Sequence, residues 1–326
     1  MKRLIAEFEE QSYTQVIFPH TQSDWICCLE EVSQTFVTII NTIAKYQQCV
    51  VICSDVALVR KYFSSHKNLI FKHYQTDDTW ARDCSAITIE ENGKKVLLDF
   101  IFNGWGEKFS SLRDNAMTKY LYKDAIPCNF ILEGGAIESN GKDILLTTTN
   151  AMLNQNRNKD LTQQEITTQL KNYFGMQHIL YLHHGYLAGD DTDSHIDTLV
   201  RFVDEKTLVY VRCEDEEDEH YVELALMQKE LEHYAKLYDL TLIPLPMCSP
   251  IYDENQRLPA TYANFLFLNN ALLVPIYNRA EDTKALEIFK NIVKDREIVA
   301  IDCSTLIKQH GSLHCVTMNF HYSTIL

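Results

Sequence analysis

Short apolar runs that end in polar turns recur along the whole of this 326-residue chain. They are CVVICSD (49–55), VLLDFIFN (96–103), DILLTTTN (143–150), TLVYVRCED (207–215), ALLVPIYN (271–278) and EIVAIDCS (297–304). Rich in Val, Ile, Leu and Phe and about as long as buried strands, they are predicted to be strands. Helical spacing appears between several of them. An amphipathic helix is expected from about Leu29, and LTQQEITTQLKNYF (161–174) opens on Thr162 with Glu165 three residues on, a capping-box pattern. The apolar spacing of 219–240 and 282–295 also predicts helices. Strand and helix thus alternate in units of roughly 45–65 residues with no Gly/Pro/Ser linker, which predicts a single domain, residues 1–326, built from degenerate structural repeats. At 46% hydrophobic and 23% charged residues the chain can bury a large core.

The formal charge of −15 argues against nucleic acid, whose phosphates call for clustered Lys and Arg, and favours cationic partners. Ten cysteines contain no CxxC pair, so no metal site is expected. The N-terminal MKRLIAEFEEQSYTQ lacks an apolar signal core, and no stretch approaches the ~18 apolar residues of a membrane span. The expectation is a cytoplasmic protein with reduced, mostly buried thiols. The acidic run EDEEDEH (214–220) reads as a solvated loop and helix start. GxGxxG, GxxxxGK[ST], GxSxG and HExxH are absent, which removes the commonest nucleotide, esterase and zinc-protease readings.

Five stretches could carry chemistry. In DTDSHIDTLVRF (191–202), His195 and Asp197 stand two apart before an apolar run, so on a strand they would share a face, with Asp191 and Asp193 upstream. TDDTWARDCSAI (76–87) groups Trp80, Arg82 and Asp83. FNGWGEKF (102–109) sets Trp105 between glycines, where a backbone can approach a ligand closely. LEGGAIE (132–138) puts Glu133 before a tight bend, and HGSLHCVTMNF (310–320) puts Cys315 at the start of an apolar strand. Each has a plainer reading: a satisfied His–Asp hydrogen bond, a buried Arg–Asp bridge beside a packed Trp, a turn, a core thiol. No single stretch decides between the two.

Taken in order, the stretches resemble the agmatine deiminases, and more broadly the Porphyromonas-type branch of the guanidine-modifying (pentein) superfamily. The resemblance runs through AEFEEQSYTQVIFPHTQSDW (6–25), WxRD at Trp80–Asp83, FNxWG at Phe102–Gly106, EGG at Glu133–Gly135, DDTxxHxD at Asp190–Asp197, YxNF at Tyr262–Phe265 and HCxT at His314–Thr317. It implies an α/β fold, a pentein-type five-bladed propeller of mixed-sheet-plus-helix units in pseudo-fivefold arrangement. It also implies hydrolysis of a guanidinium, agmatine to N-carbamoylputrescine and ammonia, through a covalent cysteine intermediate and without cofactor. Carried over at matching positions, Cys315 is the nucleophile and His195 the acid/base. Asp83 and Asp197 hold the guanidinium, and Glu133 orients His195. Trp80 and Trp105 join the substrate contacts, and Asp191 is the candidate for the distal ammonium.

The chemistry accords with these residue types. Carboxylates meet a planar cation with charge-assisted hydrogen bonds, and a thiolate is the best side-chain nucleophile for its poorly electrophilic carbon. Carboxylates also raise a neighbouring thiol's pKa, so His195⁺ or the arriving cation must compensate. The chain departs from the family at Ser85-Ala86, where Gly-Pro is usual, and at HGSLHC, which keeps only Gly311 of a glycine run. Both departures leave substrate detail open between agmatine and arginine or peptidylarginine; a binding-only propeller is the rival of a different class. The partner expected is a small cationic guanidine, with no nucleic acid and no membrane, and with homo-oligomer formation left open.

Overall fold

The computed structural model describes residues 2–322, and within them one strand pattern occurs five times. An antiparallel pair is followed by a helix, and the helix returns the chain to a third strand parallel to the second, as a parallel connection requires. Ile87–Glu91 and Lys94–Ile101 lead through the helix Leu112–Leu121 to Ile126–Ile131. Ile137–Ser139 and Ile144–Thr148 lead through Gln163–Phe174 to His178–Leu182. Val200–Phe202 and Thr207–Arg212 lead through Tyr221–Tyr238 to Thr241–Pro246. Leu266–Phe267 and Ala271–Ile276 lead through Glu281–Ile292 to Glu297–Asp302.

In the remaining sheet the antiparallel partner comes from the far end of the chain. Thr317–Phe320 pairs with Tyr13–Ile17, and the helix Leu29–Tyr46 then leads to Gln48–Cys53, with Leu69–His73 beyond it. The two ends of the sequence are therefore stitched into one sheet.

The helices follow local rules. Leu29–Tyr46 turns Phe36, Ile39, Ile40 and Ile43 into the core, and Gln163–Phe174 does the same with Ile166, Leu170 and Phe174. The capping box forms as its spacing predicts: the Glu165 carboxylate accepts from the Thr162 N–H at 2.8 Å, and Thr162 Oγ1 accepts from the Glu165 N–H. Gly175 closes this helix at φ 67°.

One predicted element differs. Residues 191–199 are not a strand; His195 precedes a 3₁₀ turn, Ile196–Thr198, and the strand begins at Val200. Asp190 makes the difference. Its carboxylate accepts from the N–H groups of Thr192 and Ser194, and Asp193 and Ser194 take positive φ, so the chain coils before it can extend. Among the described residues no helix is long and apolar enough to cross a membrane. All ten cysteines are free thiols, with Cys27 exposed and Cys28 half-buried.

Candidate active site

The repeat places one lead-in segment before the antiparallel strand that opens each of the five repeated sheets, and these segments carry the candidate residues. Asp83 precedes Ile87–Glu91, Glu133 precedes Ile137–Ser139, and His195 and Asp197 precede Val200–Phe202. Asn264 precedes Leu266–Phe267 and Cys315 precedes Thr317–Phe320. Residues from position 83 to position 315 therefore meet because equivalent segments meet.

Gly135 shows how tightly they do so. A Cβ on this glycine would lie 2.7 Å from His195 Nδ1, 2.9 Å from Asp83 Oδ1 and 3.1 Å from Asp197 Oδ2. Only a bare backbone fits there, and its N–H donates to Asp83 Oδ1 at 2.9 Å. The other oxygen of Asp83 accepts from Trp105 Nε1 at 3.0 Å. His195 Nδ1 stands 3.7 Å from Asp83 Oδ1, and His195 Nε2 stands 3.9 Å from Glu133 Oε2. Cys315 Sγ lies 3.4 Å from Asn264 Oδ1 and 4.0 Å from Asp197 Oδ2. Among the described residues neither His195 Nε2 nor Asp197 Oδ1 has a hydrogen-bond partner, although both are buried.

Burial and crowding of like charge set the ionisation of these groups. Burial first, and then the charge of Asp197, push the Asp83 carboxyl up to about 6 against the pull of His195. Burial, with the charges of Asp197 and Asp83, pushes the Cys315 thiol far up. Asp197 goes the other way. Burial would raise it, but the hydrogen bond from His314 and the charges of His314, His195 and Arg201 outweigh that and hold it low.

A cavity of about 150 Å³ opens onto Cys315 and Asp83. Trp80 and Trp105 form walls, and Asp24, Asp78 and Asp191 add further carboxylates, with no Lys or Arg side chain among the described residues lining it. Asp191 is half-buried and raised to about 6 by burial and by Asp190 beside it. Gly311, the one glycine kept before Cys315, lies flat on Trp80: a Cβ there would sit 2.1 Å from the ring.

Trp105 is aimed by an unusual turn. Gly104, Trp105, Gly106 and Glu107 all have positive φ, between 55° and 82°. The flanking glycines thus serve a left-handed turn, costing each non-glycine roughly 1–2 kcal/mol. It is the Trp105 side chain, rather than bare backbone, that reaches the site.

The structure separates some residues that the sequence grouped. Arg82 does not bridge to Asp83; it donates to Asn319 Oδ1 at 2.6 Å and to Glu7 Oε2 at 3.1 Å, while Asp83 faces the cavity. Glu133 is gripped by Arg157, whose Nε donates to both its oxygens at 2.8 and 3.0 Å and whose Nη1 reaches Asp193 at 2.7 Å. At 3.9 Å its approach to His195 is therefore not a hydrogen bond. Arg157 sits in a polar run and gave no signal in the sequence. Asn264 and His314 lay inside the YxNF and HCxT stretches without a role. Asn264 Oδ1 accepts from the His314 N–H at 2.8 Å and fixes the loop that carries Cys315.

Such a cavity suits a planar cation: carboxylates take its N–H groups while a thiol faces its carbon. Comparisons with known proteins point the same way. Residues 3–320 match the model of the family described as Porphyromonas-type peptidyl-arginine deiminase. A C. jejuni agmatine deiminase, solved as a cysteine-to-serine variant with substrate bound, is 40% identical and superposes with a TM-score of 0.95, covering 98% of this chain and 96% of that one. An agmatine deiminase of Pseudomonas aeruginosa is 26% identical over 97% of this chain and 94% of its own length. The agmatine deiminase of Enterococcus faecalis, at 22% identity and a TM-score of 0.91 over 99% of this chain and 96% of that one, shares the fold.

Proposed function

The chain belongs to the Porphyromonas-type peptidyl-arginine deiminase family, and from that premise we propose that it hydrolyses agmatine to N-carbamoylputrescine and ammonia. One observation carries the choice of substrate: a small cavity lined by Asp83, Asp78, Asp24 and Asp191 beside Cys315, with no Lys or Arg among its described lining residues. Agmatine is cationic at both ends, and this cavity is acidic along its length. The carboxylate of free arginine would find no Lys or Arg side chain among the described lining residues to receive it.

In this reading Asp83 and Asp197 bind the guanidinium, Asp197 through its unpartnered Oδ1. The arriving cation offsets the two carboxylates that raise the thiol, so Cys315 gives up its proton to solvent as substrate binds and regains one when the product leaves. Its sulfur attacks the guanidinium carbon, His195 protonates the departing nitrogen, and ammonia leaves a thiouronium on Cys315. His195 then takes a proton from water, the hydroxide adds to the same carbon, and the C–S bond breaks to release the ureido product. Glu133, held in place by Arg157, faces His195 Nε2 from 3.9 Å. Water is the only co-reactant this sequence of steps needs.

The same reading takes the five sheets as blades around this site, in one domain with pseudo-fivefold arrangement. It assigns a small guanidine as partner rather than nucleic acid or membrane, and a cytoplasmic setting in which ten free thiols persist.

The test is release of ammonia and ureido product from agmatine, free arginine and peptidylarginine, each with the wild type and with Cys315→Ser. Agmatine should be turned over best and Cys315→Ser should be inactive, while Cys84→Ser keeps activity. Faster turnover of arginine or peptidylarginine would overturn the substrate; an active Cys315→Ser would overturn the mechanism.

A further inference from the structure

His314 is buried, and each of its ring nitrogens touches a carboxylate at short range. Nδ1 lies 2.6 Å from Asp197 Oδ2, and Nε2 lies 2.6 Å from Glu7 Oε2. A neutral imidazole has one donor and one acceptor, whereas an ionised carboxylate only accepts. Three groups with four short-range contact sites of this kind are satisfied only if they hold two protons between them, as an imidazolium between two carboxylates or as its tautomer with one acid protonated.

We propose that His314 is a positioning residue that shares this second proton with Glu7 and Asp197, and thereby fixes Asp197 and favours ionisation of the neighbouring Cys315 thiol. The geometry joins the two effects on one atom. Asp197 Oδ2, the oxygen facing His314, is also the one 4.0 Å from Cys315 Sγ. A proton held there weakens the charge that opposes a thiolate. It also commits Oδ2 and leaves Oδ1 for the guanidinium. Glu7 anchors the far end of the relay, since Arg82 and Arg201 reach its two oxygens at 3.1 and 3.2 Å.

Other charged groups face this relay. Burial first, and then the guanidiniums of Arg201 and Arg82, hold the His314 imidazole below its ordinary value, while Glu7 and Asp197 pull the other way, so the short contacts on both ring nitrogens, and not its charge balance, are what call for the second proton. Arg201 is partly spent on Glu138, at 2.6 Å. On the thiol side, Asp197 and Asp83 oppose ionisation, and His195 is the other imidazole near these carboxylates. The relay supplies from the protein itself part of the compensation that a thiol among acids requires.

The inference rests on Cys315 as the nucleophile, so its test reads the thiol directly and apart from turnover. Alkylation of Cys315 by iodoacetamide, followed on its peptide by mass spectrometry, is measured against pH in wild type, Glu7→Gln and His314→Gln. Glu7→Gln keeps the size of the side chain, but its amide can donate to a neutral imidazole, so the second proton is no longer needed. Both variants should raise the apparent thiol ionisation by about one unit, seen as ~10-fold slower alkylation at a fixed pH below it. A pH dependence superimposable on wild type in Glu7→Gln would overturn the relay, whatever the substrate proves to be. A shifted alkylation profile in a protein that does not turn over agmatine would keep the relay and reject the substrate instead. If neither variant folds, neutron diffraction of the unmodified protein decides. Two deuterons among Glu7, His314 and Asp197 are expected, and a single one overturns the proposal.

Discussion

At the scale of single residues, the site is a balance of charges that burial makes costly unless each has a partner. Asp83 accepts from Trp105 and Gly135 but stays raised to about 6, so it waits partly for its partner. The sign is fixed by its role. Below about 6 it is protonated and loses its attraction for a guanidinium, so agmatine binding should weaken as pH falls through that value. Asp83→Asn should remove this limb of the kcat/KM profile and lower kcat/KM by about 30- to 1000-fold, the loss of one buried charge-assisted hydrogen bond of roughly 2–4 kcal/mol. Activity within a few-fold of wild type would make Asp83 structural. Asp191 is tested by comparison of substrates. Asp191→Asn should weaken agmatine far more than an alkylguanidine of equal length lacking the amine. Equal losses on both would remove it from the substrate's tail and leave it as a support of the loop before His195.

At the scale of elements, the lead-in loops matter more than the strands they precede. Four of the helices and all six apolar runs were legible in the sequence, because periodicity and capping are local signals. The spacing of His195 and Asp197 by two residues does not distinguish a strand from a turn wound around an Asp190 side chain, and the turn forms. Gly134-Gly135 was legible as a bend but not as a floor. That meaning arises only where His195, Asp83 and Asp197 arrive from other loops. Gly135→Ala should therefore reduce kcat/KM by about 100-fold or more by displacing three groups, at a cost of roughly 1–3 kcal/mol in stability. Gly93→Ala, a strained position with open space around it, should cost ~1 kcal/mol in stability and leave activity intact. Similar activity in the two variants would show that the close approach at Gly135 is without consequence.

At the scale of the whole molecule, folding gathers acids, and that should be visible in its stability. Burial raises Asp83 to about 6, Asp78 and Glu138 to about 7 and Asp114 to about 8, from ordinary values of 3.8 for Asp and 4.5 for Glu. Through these four carboxyls the folded state binds more protons than the unfolded chain between about pH 4 and 8, a contribution to stability that falls as pH rises; His20, His220, His314 and His321, held low by burial, oppose it in the acid part of this window. Thermal denaturation should show Tm decreasing by several degrees from pH 5 to pH 8, and a guanidine ligand should recover part of the loss. A Tm that climbs through this window would mean that these carboxyls are better solvated than their burial implies. The low-lying Glu7 and Asp197 act in the opposite sense, and their contribution is lost only on strong acidification.

Neighbouring residues in the sequence carry the alternation of strand and helix and the family, because apolar period, caps and ordered motifs are local; the sequence also offers the candidate reactive residues. It could name Cys315, His195, Asp83, Asp197 and Glu133 without saying what held them. Tertiary structure decided that Arg82 turns away from Asp83, that Arg157 neutralises Glu133, and that Glu7 reaches His314 across almost the whole chain. The physical reason is that a buried charge must find its partner wherever packing brings one within about 3 Å, and distance along the chain carries no information about that. Pairing of Thr317–Phe320 with Tyr13–Ile17 belongs to the same class, since it carries the Cys315 segment to the carboxylates that the rest of the chain assembles.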